Sequence, residues 1–328
     1  MEAYINRESG RASYLIDQHD HSHIVSEPST HDSNEGPGDE SGEPDESGGG
    51  GTLTRRRLLL AAGAGSGLAV GGGIYVSRSL DGDAGGHVAP DDQPMVTTRR
   101  PGGDVGPAAT TGSWAFDGAD ELFVFVHGFS TDAEGARDQA YTAELGLAEA
   151  RPSDPPPVVG YGWESDVEWA AAKRTADANA DPLADWLIER ADEDGRPVHL
   201  LGYSLGARVT GETLRELASR GRTDVLASAS LLGGAIPRDS VTRDGRYGAA
   251  IAAVDAPVYN FHSENDRVLG WVYRVSDRTR AVGHGGISDP NAAPQGYADV
   301  DVTDLVADHY SYFQPGEGCL PRVVERIG

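Results

Sequence analysis

The sequence predicts an α/β domain with a mainly parallel sheet and helices on both faces, and three observations lead there. From residue 120 onward, short β-branched or apolar runs alternate with longer stretches of helical spacing, the pattern of successive βα units. At 38% hydrophobic residues the chain has enough apolar material for a sizeable core. The residues able to do chemistry fall just after the apolar runs, where open α/β sheets collect their functional groups.

Taken in order, residues 1–54 carry 12 acidic residues and 2 arginines without apolar periodicity, which predicts a disordered acidic tail. His19, His21 and His23 have metal-ligand chemistry, but no local fold orients their rings. At Thr54-Arg55-Arg56-Arg57-Leu58-Leu59 the composition switches, and the run from Leu58 to Val76 holds no charge. Residues 55–79 therefore resemble a twin-arginine export signal, made only mildly hydrophobic by six glycines. Retained rather than cleaved, residues 58–76 would reach roughly 28 Å as a helix, just enough to cross a bilayer core. The expected partner of this segment is the twin-arginine export machinery, and the expected location is extracellular or anchored at the outer face of the cell membrane. Residues 80–119, rich in Gly, Pro, Asp and Thr, predict a flexible linker, so the folded domain is expected over 120–328.

Within that domain, strands are predicted at Leu122–Val126, Val158–Tyr161, Val198–Leu201, Ala227–Leu232 and Val258–His262, with a short last strand at Ala298–Val302. Helical spacing or composition covers Asp132–Glu149, Asp166–Arg190, Leu205–Ser219 and Arg267–Val275. No internal repeat is present.

Charge narrows the partners. The 52 acidic residues against 27 basic ones give a net charge of −25, and Lys173 is the sole lysine. Such a field repels a phosphate backbone, which argues against nucleic acid as a partner and disfavours anionic interfaces. The composition resembles that of halophilic proteins, which work in molar salt, where self-repulsion is screened. Cys319 is the single cysteine, so neither a disulfide framework nor a thiol metal cluster is available.

The strongest local signal is Gly202-Tyr203-Ser204-Leu205-Gly206, set between an apolar strand and a helical stretch. A sharp strand-to-helix turn needs glycine around a strained serine, and it lifts Oγ above the sheet. Ser204 is the candidate nucleophile, a serine capping an ordinary helix being the alternative. A serine needs a base and an orienting acid, which follow it in this order of chain. Asp266 lies in the loop after the strand Val258–His262 and is the candidate acid, with Glu264 its nearer rival and Asp255 on the wrong side of the strand. His309, 43 residues further on, is the candidate base. His262 lies inside a strand, and His284 lies in a Gly-rich loop. The turn His127-Gly128-Phe129 after the first strand offers backbone N–H groups, so Phe129 and Leu205 are the expected oxyanion-hole donors, with His127 shaping the loop.

Together these residues resemble the α/β-hydrolase superfamily from Glu121 to the C-terminus. They are most similar to an uncharacterised branch shared with eukaryotic transmembrane and coiled-coil domain proteins. The likeness is carried by Leu201 through Val209, by Leu231-Leu232-Gly233-Gly234-Ala235, by Asn260 through Gly270 and by Asp301 through Tyr312. The resemblance implies Ser204, Asp266 and His309 as a catalytic triad and brings no substrate with it. It implies a serine hydrolase acting on a small-molecule acyl substrate, an ester first of all. An acyltransferase or peptidase would share the site, and a surface-displayed binding module would keep the fold without the reaction. No metal or organic cofactor is implied, because Gly283–Gly286 lacks the Lys and Ser/Thr of a phosphate loop. Trp163, Trp169, Trp186 and Trp271 are read as core in preference to an acyl pocket. Residues 276–299 are read as a cap or a plain loop.

Overall fold

The computed structural model describes residues 87–100, 103–116 and 118–328. The expectations for the acidic tail (1–54), the export segment (55–79) and the span 58–76 concern residues outside that set. No described helix is long and apolar enough to cross a membrane.

Eight strands form one sheet: β1 (Met95–Arg99), β2 (Val105–Thr111), β3 (Leu122–Val126), β4 (Val158–Gly162), β5 (Val198–Tyr203), β6 (Ser228–Leu232), β7 (Val258–His262) and β8 (Tyr297–Asp301). Their order is β2-β1-β4-β3-β5-β6-β7-β8, parallel throughout except for β2, which pairs antiparallel with β1. Helices α1 (Ala133–Ala150), α2 (Trp169–Ala178), α3 (Ala180–Glu193), α4 (Gly206–Ser219), α5 (Gly248–Ala253), α6 (Arg274–Asp277) and α7 (Leu320–Ile327) fill the connections, with a π-helical turn over Val268–Tyr273 running into α6.

Side-chain alternation explains why the central strands are apolar throughout. Val124, Val126 and Leu200 enter one core with Trp169, Leu183 and Leu214 of α2, α3 and α4. Phe123, Phe125 and Leu201 enter the opposite core with Ala136, Leu147, Leu320 and Val323 of α1 and α7. Both faces are covered, as the sequence predicts, and the architecture is the α/β-hydrolase fold.

Two expectations are corrected. Within residues 80–119, assigned to the linker, Met95–Arg99 and Val105–Thr111 pair as the antiparallel strands β1 and β2, and Trp114 beyond them packs edge-on to Trp186 at 6.1 Å. The strands were masked by Gly106 and Pro107 in β2. As an edge strand with a register shift opposite Thr97 and Arg99, β2 tolerates a residue that donates no ladder hydrogen bond. The single helix expected over 166–190 is two helices, broken at Asn179. This buried amide accepts from Thr98 Oγ1 (2.6 Å) and from Tyr161 Oη (2.9 Å) and donates to the Thr175 carbonyl (2.7 Å), so the break is pinned to the sheet. The stretch 276–299 runs from the end of α6 into β8 through a packed loop: the Gly283 carbonyl accepts from Ser263 N–H and Tyr312 Oη, and Val282 and Ile287 are buried.

Candidate functional site

Because the central strands are parallel, the loops after β3, β5, β7 and β8 emerge at one end of the sheet, and each delivers one part of the site. After β5 the chain turns sharply into α4, and Ser204 sits at the apex with φ of 52°, a left-handed conformation that strains any residue with a Cβ. Two neighbouring glycines make the turn sterically feasible. A Cβ on Gly202 would fall 2.9 Å from the Gly206 carbonyl oxygen, and one on Gly206 would fall 2.7 Å from that of His127. The serine backbone is held on both sides, its N–H donating to the Leu232 carbonyl (3.0 Å) and its carbonyl accepting from Ala235 N–H (2.9 Å). The Gly233-Gly234 turn after β6 is thus a support of the elbow.

The three predicted side chains meet. Ser204 Oγ lies 2.9 Å from His309 Nε2, and His309 Nδ1 lies 2.7 Å from Asp266 Oδ2. All three are buried. A carboxylate only accepts, so His309 carries its proton on Nδ1 and turns the Nε2 lone pair to the serine hydroxyl. Asp266 Oδ1 accepts from Leu269 N–H at 2.9 Å, which fixes the carboxylate plane. Glu264, the rival acid, is exposed; His284 packs its ring on Gly270, away from the serine.

The His127-Gly128-Phe129 loop lies directly against the elbow, a Cβ on Gly128 being 3.0 Å from Ser204 Cβ. His127 does not face the serine. Its Nε2 accepts from Trp163 N–H (3.1 Å), its Nδ1 donates to the Gly128 carbonyl (2.9 Å), and its own carbonyl accepts from Trp163 Nε1 (3.0 Å). Burial pushes its pKa down to about 3, so the ring stays neutral and serves as a brace between β3 and β4. Phe129 and Leu205 are buried, and no acceptor among the described residues takes the N–H of either. Unspent donors in a dry position are the raw material of an oxyanion hole.

Four positioning residues were not singled out from sequence: Tyr203, Ser263, Asn265 and Thr303. Tyr203 Oη donates to the His309 carbonyl (2.9 Å), Ser263 Oγ to the Val306 carbonyl (2.9 Å), Asn265 Nδ2 to the Thr303 and Val306 carbonyls (2.8 and 3.1 Å), and Thr303 Oγ1 accepts from Glu264 N–H (3.0 Å). The first bond ties β5 to the histidine loop, and the others tie the acid loop to it. Tyr203 was within reach, being the variable residue before the serine in the Gly-x-Ser-x-Gly pattern. Of the four tryptophans considered, Trp163, Trp169 and Trp186 are core, whereas Trp271 is 66% exposed. A cleft of about 390 Å³ opens beside His309, lined among others by Arg267, Val268, Asp308 and Tyr310. Across the site, Phe129, Trp169 and Tyr273 form an edge-to-face series with centroids 5.0 and 6.1 Å apart. Cys319 is buried, and burial pushes its thiol pKa up, which removes it as a competing nucleophile.

Residues 155–325, from the loop before β4 into the last helix, match the family model described as "Protein of unknown function (DUF726)". The chain belongs to this family. Relatives of this chain include an uncharacterized membrane protein, C6F6.13c, of Schizosaccharomyces pombe, 36% identical over 146 residues, which are 44% of this chain and 24% of the relative. The transmembrane and coiled-coil domain-containing protein STS1 of rice, Oryza sativa, is 34% identical over 155 residues, 47% of this chain and 22% of that protein. The probable lipase MIL1 of Saccharomyces cerevisiae is 26% identical over 167 residues, 51% of this chain and 14% of that protein. The matched segment thus spans a quarter or less of the length of these curated relatives. Among solved structures, Bacillus licheniformis lipase BlEst2 in mature form matches 64% of this chain and 93% of its own, at 16% identity and a TM-score of 0.40.

Proposed function

We propose that this DUF726 domain is a serine hydrolase that cleaves a carboxylic ester or related acyl bond through an acyl-enzyme. The observation that carries the reading is the continuous relay of 2.9 and 2.7 Å from Ser204 Oγ through His309 to Asp266, on a serine held in the strained elbow conformation. The name of the yeast relative, probable lipase, points to the same class.

In this reading Ser204 Oγ attacks the acyl carbon while its proton passes to His309 Nε2. The oxygen of the tetrahedral intermediate takes hydrogen bonds from the N–H groups of Phe129 and Leu205, each worth about 2.7–4 kcal/mol in the transition state. The imidazolium protonates the leaving alkoxide, and Asp266 stabilises the positive ring and keeps its tautomer. Water then gives a proton to Nε2 and attacks the acyl carbon of the acyl-serine; as the bond to Ser204 Oγ breaks, the imidazolium returns the proton to Oγ and the acid leaves. Residues 55–79, read as a twin-arginine signal, would send the domain out of the cell by that route.

The test is labelling of the folded protein with a fluorophosphonate probe, comparing wild type with Ser204→Ala and His309→Ala. The expected result is labelling that requires both residues and is accompanied by hydrolysis of a short-chain aryl ester. A folded wild type that neither labels nor hydrolyses would overturn the reading in favour of a non-catalytic binding module.

A further inference from the structure

The segment 267–280, which leaves the site directly after Asp266, departs from the rest of the molecule in charge and in polarity. It carries Arg267, Arg274, Arg278 and Arg280 against the single acid Asp277, within a chain of net charge −25. All four arginines are exposed, and among the described residues none has a carboxylate within ion-pair distance. Of the sixteen described arginines outside the segment ten do, from Arg99 and Arg151 to Arg246 and Arg322, and no other stretch gathers four that do not. Asp277 is already engaged, by Trp169 Nε1 (2.8 Å) and by Lys173 Nζ.

The same segment exposes Trp271 (66%) and Val275 (64%), four residues apart. Looseness does not account for that exposure. Leu269 and Tyr273 are buried, Asp266 fixes one end through Leu269 N–H, and Asp277 fixes the other against α2. The helical turn therefore keeps Leu269 and Tyr273 inside and holds a large indole in water, flanked by unpaired guanidinium groups. Arg267 and Val268 also line the cleft beside His309, so this face borders the mouth of the site. Glu264 and Asp308 stand on the same rim and bias an approaching anion toward the arginine side.

We propose that segment 267–280 seats the domain on a lipid surface bearing anionic headgroups, with the arginines on headgroup phosphates and Trp271 and Val275 entering the acyl boundary. Arginine binds phosphate through its planar fork, and tryptophan partitions to the membrane interface. The inference rests on the hydrolase reading and deepens it, naming membrane lipid as the source of the acyl substrate. It also overrides the expectation drawn from net charge, because a local cationic patch governs contact once its distance to the surface is shorter than the range of the overall field.

The test uses the full chain carrying Val275→Cys, labelled with an environment-sensitive fluorophore; Cys319 is buried and stays unlabelled. Vesicles of phosphatidylglycerol are compared with vesicles of phosphatidylcholine at one fixed salt concentration that keeps the protein folded. The expected result is a blue shift with the anionic vesicles only. Combining Arg274→Gln, Arg278→Gln and Arg280→Gln should lower the apparent partition coefficient roughly a hundredfold, at roughly fivefold per arginine, and Trp271→Ser should lower it further. No shift, an equal shift on both lipids, or a shift untouched by the substitutions would overturn the proposal; the last outcome would assign membrane binding to residues 58–76. A concentration-dependent shift without vesicles would overturn it in favour of a second copy of the chain. Fluorophosphonate labelling of the same preparations separates the two readings: labelling without a lipid response refutes docking alone, and a lipid response without labelling refutes the hydrolase alone.

Discussion

Replacing Gly206 with alanine tests whether the elbow geometry, and not merely the presence of a serine, makes the site. The new Cβ would fall 2.7 Å from the carbonyl oxygen of His127 and closer still to that of Val126, whereas real Cβ atoms keep at least 3.0 Å. Both oxygens belong to the backbone at the end of β3, which is locked between β4 and β5, so neither swings aside. The elbow must therefore back away from the His127–Phe129 loop by several tenths of an ångström or more. That motion separates Ser204 from Phe129 N–H, the two groups that grip one carbonyl from different sides in the proposed mechanism. A displacement approaching 1 Å costs about a hundredfold in rate, or about 2.7 kcal/mol of transition-state stabilisation. Overpacking adds about 1–3 kcal/mol of instability. The assay is kcat/KM on a soluble short-chain ester, with urea unfolding of the same protein and Gly221→Ala as a control. Gly221 also has positive φ, at 68°, but a Cβ there meets nothing within 4 Å. Gly206→Ala should lose ten- to a hundredfold in kcat/KM while most molecules remain folded, and Gly221→Ala should lose stability alone. A folded Gly206→Ala protein with wild-type kcat/KM would refute the reasoning.

Asp266→Asn keeps the acceptor for Leu269 N–H but reverses the preferred tautomer of His309, so kcat should fall by about 10⁴ with KM and unfolding midpoint nearly unchanged; equal loss of stability and activity would assign the residue to structure. His127 has its pKa lowered from 6.5 to about 3 by burial, so between those values the unfolded chain binds a proton that the folded one refuses. Stability is therefore complete above about pH 6.5 and falls with acidification toward pH 3, by at most about 1.4 kcal/mol per unit from this group; urea unfolding from pH 7 to 4 should show a shallower slope for His127→Gln, and parallel slopes would exclude the assignment. Asp277→Ala strips the acceptor from Trp169 Nε1, Ser276 Oγ and Lys173, so it should destabilise by about 1–2 kcal/mol and speed tryptic cleavage after Arg274 and Arg278; unchanged cleavage would mean the segment is held elsewhere.

What was legible in the sequence follows from which signals are local. The central strands are apolar on both faces and bounded by turns, and the serine lies in a pattern readable within five residues, even though Gly206 answers contacts with the distant carbonyls of Val126 and His127. Order along the chain then leaves few candidates for acid and base. Strands β1 and β2 were hidden because an edge strand pair of threonine, alanine and proline owes its existence to β4 beside it and to the core beneath it. The break at Asn179 was hidden for a similar reason, since its partners Thr98 and Tyr161 lie 81 and 18 residues away. The solvent-facing Trp271 read as core because periodicity reports which residues share a face and not which face is covered.

The histidine raises a sharper physical question, because between the end of β8 and the start of α7 the chain runs for 18 residues with no regular element, and a free loop of that length would blur the position of an imidazole. Here the loop is fastened at every few residues. Val302 N–H donates to the His262 carbonyl, the Val306 carbonyl accepts from Ser263 and Asn265, the His309 carbonyl accepts from Tyr203, Tyr312 Oη reaches the Gly283 carbonyl, and Cys319 N–H closes on the Tyr312 carbonyl. Phe313 packs edge-on to Tyr203 at 4.8 Å and to Phe125 at 4.9 Å, which buries the loop's midpoint against β3 and β5. The residue next to the nucleophile therefore grips the backbone of the base, and the residue three before the acid grips the turn leading to it. Ser204, Asp266 and His309, the proposed nucleophile, acid and base, are coupled through Tyr203 and Ser263 before any substrate arrives, so the relay distances belong to the resting fold. Tyr203→Phe isolates this coupling: the ring and its packing remain, one hydrogen bond is lost, and the expected signature is a lower kcat with unchanged KM, about tenfold for about 1.4 kcal/mol of lost positioning. If kcat is untouched, the aromatic packing alone sets the histidine and the hydroxyl is incidental.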